Sequence, residues 1–338
     1  MPLHKGKGTA CMFYPVGFTE YPNPSSAFMK VETDGSAVLF TGATDLGQGS
    51  HTALCQIVSQ TIGIPMSKIK MVTSDSQRTP YDTGAVASRM TYITGNAVKK
   101  AAETARTMLF NAACVMLELY TGDVHEELRA EDGYIFMNAW EDCRVSIADA
   151  AWFSCMRMGK PIIGSASYNP VTTPLNKESG HGRPYCTHVF ATQIAIVNVD
   201  DETGEYEVEK IYAVHDCGKV VNPMLIKGQI DGGIAQGVGF GCLEELVYKD
   251  GAVANPNLTD YILPTSMDMP EIISETVERF DPSGPYGAKG IAEPALLPTA
   301  SAIANAIYDA VGVLICDLPI TPEKVYMALK EKKAAEAK

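Results

Sequence analysis

Residues 27–63 read AFMKVETDGSAVLFTGATDLGQGSHTALCQIVSQTIG, and their apolar spacing changes partway along. Two β-rich runs flank Asp34-Gly35, and Asp-Gly between such runs is a strong hairpin signal. Beyond it, Ala53, Leu54, Ile57, Val58 and Ile62 fall at helical spacing, with Gly63 and Pro65 to end the helix. A hairpin running into a helix sets the pattern for the chain. Outward from there, residues 69–73 (IKMVT) predict a strand, 74–95 a polar loop, and 96–122 a long helix rich in strong helix formers. The first twenty-five residues show little periodicity.

The pattern returns in the second half. Residues 186–200 and 205–218 alternate apolar and polar around Asp201-Glu202-Thr203-Gly204, a second hairpin. Asn222-Pro223 reads as an N-cap with Pro at the first helical position, opening a glycine-rich helix. Glycines weaken a helix, so their number implies close packing against it. Residues 244–256 suggest another hairpin, 300–313 an amphipathic helix ending near Gly312, and Thr321-Pro322 the start of a charged last helix. A loop-like stretch at 164–185 places a coarse boundary between lobes at 1–165 and 166–338. The expected class is α+β, with two mixed α/β lobes.

The 338 residues carry a formal net charge of −13, with 46% hydrophobic and 20% charged residues. This is globular composition. Its acidity argues against nucleic acid, where affinity comes from Lys and Arg on phosphates, and against anionic membranes. No stretch approaches the roughly 18 apolar residues of a membrane span. The start, MPLHKGKGTACMFYP, lacks the apolar run of a signal peptide. The nine cysteines are scattered without a C-x-x-C pair, so reduced thiols in a cytoplasmic protein are expected. An iron–sulfur or zinc site built by this chain alone is not expected.

Four stretches could carry chemistry. Gly47-Gln48-Gly49-Ser50-His51 precedes a helix and has the form of a phosphate cradle; it reads equally as a tight turn with Ser50 as N-cap. Residues 87–97 (ASRMTYITGNA) precede the next helix with hydroxyls at Ser88, Thr91 and Thr94, either a second anion-holding mouth or an ordered surface loop. Gln229 is an amide within a glycine-rich segment, able to hold a ligand or simply to face water. Glu293 sits in AKGIAEP, among small and apolar residues whose desolvation suits a general base; most glutamates are simply exposed. The histidines lack metal-motif spacing.

Taken in order, residues 33–65, 81–98, 214–246, 257–271 and 287–313 closely resemble the C-terminal half of the molybdenum-binding subunit of the xanthine dehydrogenase/aldehyde oxidoreductase family. The resemblance runs from about residue 6 to 330. It implies a molybdopterin cofactor, expected as the cytosine dinucleotide, with molybdenum held by the pterin dithiolene and by no protein ligand. It implies cofactor contacts at Gly47, Gln48, Gly49, Ala87, Ser88, Arg89, Thr91 and Gln229. Glu293 matches the family's base, with Ala292 where Gly is commoner. Phe13 and Tyr14 become candidates for ring-stacking contacts with substrate.

The family's subunit is about twice this long by ordinary domain sizes. The chain therefore reads as a half-subunit, a split resembling that of the bacterial nicotinate dehydrogenases. The implied partners are a large molybdopterin subunit, an iron–sulfur subunit with [2Fe-2S] clusters and an FAD subunit. The implied reaction is hydroxylation of an N-heteroaromatic substrate with oxygen from water, nicotinate to 6-hydroxynicotinate being the leading expectation. Purine/xanthine or aldehyde hydroxylation, hydroxybenzoyl-CoA reduction and a noncatalytic cofactor clamp are the alternatives.

Overall fold

The hairpin at Asp34-Gly35 forms in the computed structural model, which describes residues 3–18, 21–119 and 124–337. In chain order the elements are β1 (Leu3–Pro15), β2 (Ser25–Val31), β3 (Ala37–Thr41), α1 (Ser50–Ile62), β4 (Ile69–Thr73), α2 (Gly95–Met116), β5 (Leu128–Glu131), β6 (Tyr134–Met137), β7 (Arg144–Ser146), α3 (Ile147–Met156) and β8 (Ile162–Tyr168). There follow β9 (His188–Asp200), β10 (Tyr206–Asp216), α4 (Pro223–Val238), β11 (Tyr248–Lys249), β12 (Ala252–Val253), β13 (Glu271–Thr276), α5 (Ala292–Leu296), α6 (Thr299–Val311) and α7 (Pro322–Glu336). Both expected helix stops hold: Gly63 and Gly312 close α1 and α6 in the left-handed conformation that glycine adopts without penalty.

The first sheet has the order β4-β3-β2-β8. α2 lies across β2 and β8, with α1 beside it. Met29, Leu39, Leu54, Ile57, Ala101 and Leu109 belong to the core between them. A second sheet, β1-β9-β10-β13, has α6 laid across β1 and β9. Its core includes Val197, Ile211, Ile234, Ile303 and Ile307. On α4, the expected close packing occurs at two glycines: a Cβ at Gly233 or Gly237 would fall 2.5 Å from Ala295 or Thr299. Gly228 and Gly232 instead face open space.

Of the strands that the sequence did not suggest, β8 falls where residues 164–168 read as loop, and the longest is β1. Its inward positions include Gly6 and Gly8, where a Cβ would meet the backbone of Ala306 at 2.1 Å. Helix α6 therefore rests directly on the strand's backbone, and no apolar alternation is written there. β1 pairs along its length with β9, and the line drawn at residue 165 falls inside β8. The chain thus starts in the second sheet, builds the first and returns. A small cluster of Val16, Tyr92, Ile93 and Val189 fills the seam between the two sets of elements.

Candidate functional site

A cleft of about 540 Å³ opens along this seam. The loop before α1, residues 85–86 and 88–91, the start of α4 and residues 288–293 line it, with Ala87 just off the wall. Of the residues singled out from sequence, Gly47, Gln48, Gly49, Ser88, Arg89, Thr91, Gln229 and Glu293 all lie on its wall.

Glu293 occupies the first turn of α5, half-buried. Its carboxylate accepts a hydrogen bond from the Ser88 hydroxyl, and its own N–H donates to Ser88 Oγ at 3.2 Å. This pairing joins positions 205 apart in the chain. Ser88 and Ala87 both hold positive φ, 52° and 51°, a conformation costing non-glycine residues about 1–3 kcal/mol each. Two contacts pin that turn. The Ala87 carbonyl accepts from Gly17 N at 2.9 Å, and a Cβ at Gly290 would come 2.2 Å from the Ser88 carbonyl oxygen. Only a glycine at 290 lets the two loops meet this closely.

Tyr14 lies on the same side of β1 as α5. Burial, with the Glu293 carboxylate adding to it, pushes the Tyr14 phenol up to about 12, so at neutral pH it faces that carboxylate as a protonated donor. Phe13 is directed to the other face of the sheet, 67% exposed, and does not line the cleft. Cys217 does line it, and burial pushes its thiol up to about 11, leaving an uncharged SH.

The Gly47-Gln48-Gly49 turn is occupied by its own chain. The Asp45 carboxylate accepts from the N–H groups of Gly47 (2.9 Å), Gly49 (3.2 Å) and His51 (3.1 Å). Burial pushes the Asp45 carboxyl up, but the three N–H donors outweigh it and hold it below the usual range. The N-cap is Gly49 rather than Ser50, and the anion at this helix mouth is Asp45. Gln48 is similarly engaged, its amide donating to Thr44 O and Ser50 Oγ and accepting from Leu46 N. The cradle expected at this turn is therefore filled from within.

Arg89 is fully buried. Its guanidinium pairs with Asp82 at 2.8 Å and donates to Asn23 Oδ1, Gly84 O and Pro24 O. It holds the loop before α2 in shape, and removing either charge would strand the other in the interior. Thr94, singled out as a cleft hydroxyl, is buried in the same network, donating to Asp82 Oδ2. By contrast, the Gln229 amide and the Thr91 hydroxyl are half-buried on the cleft wall and make no side-chain hydrogen bond among the described residues.

Lys219, Lys289 and Asn222 also line the cleft, and the sequence reading missed them as wall residues. Both lysines are already paired, Lys219 with Glu278 and Lys289 with Asp216 at 2.9 Å. Asn222 caps α4 as expected, accepting from Leu225 N at 3.1 Å, and also donates to Gln56 on α1. Among the described residues every lining cation is paired, and the cleft offers neutral donors and acceptors and one carboxylate, Glu293. That chemistry suits a polar heterocycle.

A family model described as the molybdopterin cofactor-binding domain matches residues 2–270. The putative xanthine dehydrogenase molybdenum-binding subunit of Escherichia coli (strain K12) is 34% identical over 335 residues, covering 96% of this chain and 42% of that protein. The nicotine 6-hydroxylase large subunit of Paenarthrobacter nicotinovorans is 32% identical over 315 residues, covering 90% of this chain and 37% of that protein. Quinoline 2-oxidoreductase from Pseudomonas putida 86 superposes with a TM-score of 0.87 at 27% identity, over 97% of this chain and 42% of that one. The chain thus spans about two fifths of the length of these relatives. With the matching domain covering most of its residues and the fold shared nearly end to end, the chain belongs to the xanthine dehydrogenase family, as a molybdopterin-binding subunit.

Proposed function

We propose that this chain forms the base-bearing part of the active site of a molybdenum hydroxylase acting on an N-heteroaromatic substrate, with the rest of the site on a second chain. The observation that carries the reading is Glu293, the one carboxylate on the cleft wall among the described residues, held by Ser88 and faced by Tyr14. The wall fits a pterin in kind: the unengaged amide of Gln229 and hydroxyl of Thr91 can donate to and accept from a polar heterocycle. Gly47, Gln48, Gly49, Ala87, Ser88 and Arg89 shape the loops around it. When bound, the cofactor supplies two-electron redox chemistry with oxygen drawn from water.

The chain's own part is to bind, orient and move a proton. Glu293 accepts a proton at its carboxylate, the Ser88 hydroxyl fixes the direction of that carboxylate, and Tyr14 supplies a second donor beside it. The cofactor form is the cytosine dinucleotide, and the partners are a large molybdopterin subunit, a [2Fe-2S] subunit and an FAD subunit in the cytoplasm. Nicotine, quinoline and xanthine, named for three relatives, are all nitrogen heteroaromatics, which supports that substrate class and keeps nicotinate as the leading candidate. No helix among the described residues is long and apolar enough to cross a membrane.

In the purified complex, Glu293→Gln is expected to lower turnover by roughly 10²–10⁴ while molybdenum content stays at the wild-type level. Turnover within tenfold of wild type would sink the assignment of the base. A substrate screen with nicotinate, xanthine and aldehydes then sorts the substrate classes.

A further inference from the structure

The outer face of the β1-β9-β10-β13 sheet changes character along its length. Its inner face is buried under α6. Outside, the end far from the cleft is ionic: Lys5 pairs with Glu209 at 2.7 Å, Lys210 with Glu271 at 2.7 Å, and Asn198 donates to Glu209. This is how a sheet face exposed to water is ordinarily written. The end near the cleft is aromatic and aliphatic instead. Phe13, Phe190, Tyr212 and Val214 are 67%, 51%, 40% and 43% exposed. The Phe13 ring stands 5.9 Å from His188 and 6.5 Å from Phe190, so the rings form one patch. Exposed aromatic patches with an ionic border mark places where another surface docks.

The patch also meets the candidate site. Lys289 lines the cleft four positions before Glu293, and its Nζ lies 5.8 Å from the centre of the Phe190 ring. Whatever covers the patch therefore abuts the cleft. The relatives contain a large body of chain able to do this, since more than half the length of each lies outside the match.

We propose that the aromatic end of this sheet face is the seat of a separate chain carrying the remainder of the family's molybdenum-binding subunit. This rests on the function proposed above and adds to it the surface through which the two chains join. A second copy of this chain, the iron–sulfur chain and the flavin chain are the rival occupants.

The test reads association rather than turnover, so it can fail independently of the Glu293 assignment. In the complex co-produced with its partner chains, Val214→p-benzoylphenylalanine is expected on irradiation to crosslink to the chain bearing the rest of the molybdenum-binding subunit. Lys7→p-benzoylphenylalanine, at the ionic end, is expected to give at least tenfold less. Val214→Glu with Phe190→Glu is expected to reduce co-purification of that chain more than tenfold, with an unchanged circular dichroism spectrum, while Lys7→Glu leaves it intact. Crosslinking from position 214 to a second copy, to the iron–sulfur or flavin chain, or to nothing overturns the proposal. So does wild-type co-purification of the double variant. If the double variant misfolds, the crosslink decides.

Discussion

His215 sits on β10, fully buried, and neither ring nitrogen has a hydrogen-bond partner among the described residues. Burial pushes its pKa down to about 4. The unfolded chain would bind that proton near pH 6.5, so the folded state loses ground as the solution is acidified. The stabilising contribution of the neutral ring is complete above pH 6.5 and disappears as the pH falls through about 4, a change of roughly 3 kcal/mol. Urea unfolding at a series of pH values is expected to show this slope in the wild type and a flatter one in His215→Leu. Equal slopes would mean that the ring takes up its proton as readily in the fold as in the unfolded chain. Glu293 teaches a different lesson about single residues. Its neighbours in sequence are bland, and what marks it is Ser88, met only after folding. Order among several motifs, rather than local composition, is what singled it out.

At the scale of elements, legibility followed side chains. The β2–β3 and β9–β10 hairpins, α4 with its Asn222 cap, and α7 behind Thr321 were all readable, since alternating apolar faces and capping residues are written in side chains. β1 was not, because part of its buried face is glycine backbone pressed on α6. Asp45 was also illegible as a cap: it reaches back to α1 from four residues before Gly49. Contrasting glycines test the packing. Gly8→Ala places a methyl group 2.1 Å from backbone of α6 and is expected to cost about 3 kcal/mol of stability or more, read by denaturant midpoint. Gly232→Ala adds a methyl group into open space within a helix and is expected to stabilise the chain by about 0.5–1 kcal/mol. A tolerated Gly8→Ala would show that α6 does not rest on the strand.

Across the whole molecule, two cores are joined by the small cluster of Val16, Tyr92, Ile93 and Val189, and by hydrogen bonds such as Tyr92 to Ser283 at 2.7 Å. Both tryptophans, Trp140 and Trp152, lie in the part of the chain that builds the first core, so their fluorescence reports on that side alone. Far-ultraviolet circular dichroism reports on both. Ile93→Ala is expected to cost about 2–5 kcal/mol and to split unfolding curves that coincide in the wild type. Coincident curves in the variant would show that the cores remain coupled without this cluster. The Ser88–Glu293 contact gives the seam a further meaning. One partner is carried by each side, so the direction of the carboxylate works as a caliper reading of how the two sides sit. A misplacement of about 1 Å at a reacting group can cost 10²-fold in rate. Slow variants can therefore arise far from the cleft, wherever a substitution resets the caliper while leaving every cleft residue in place.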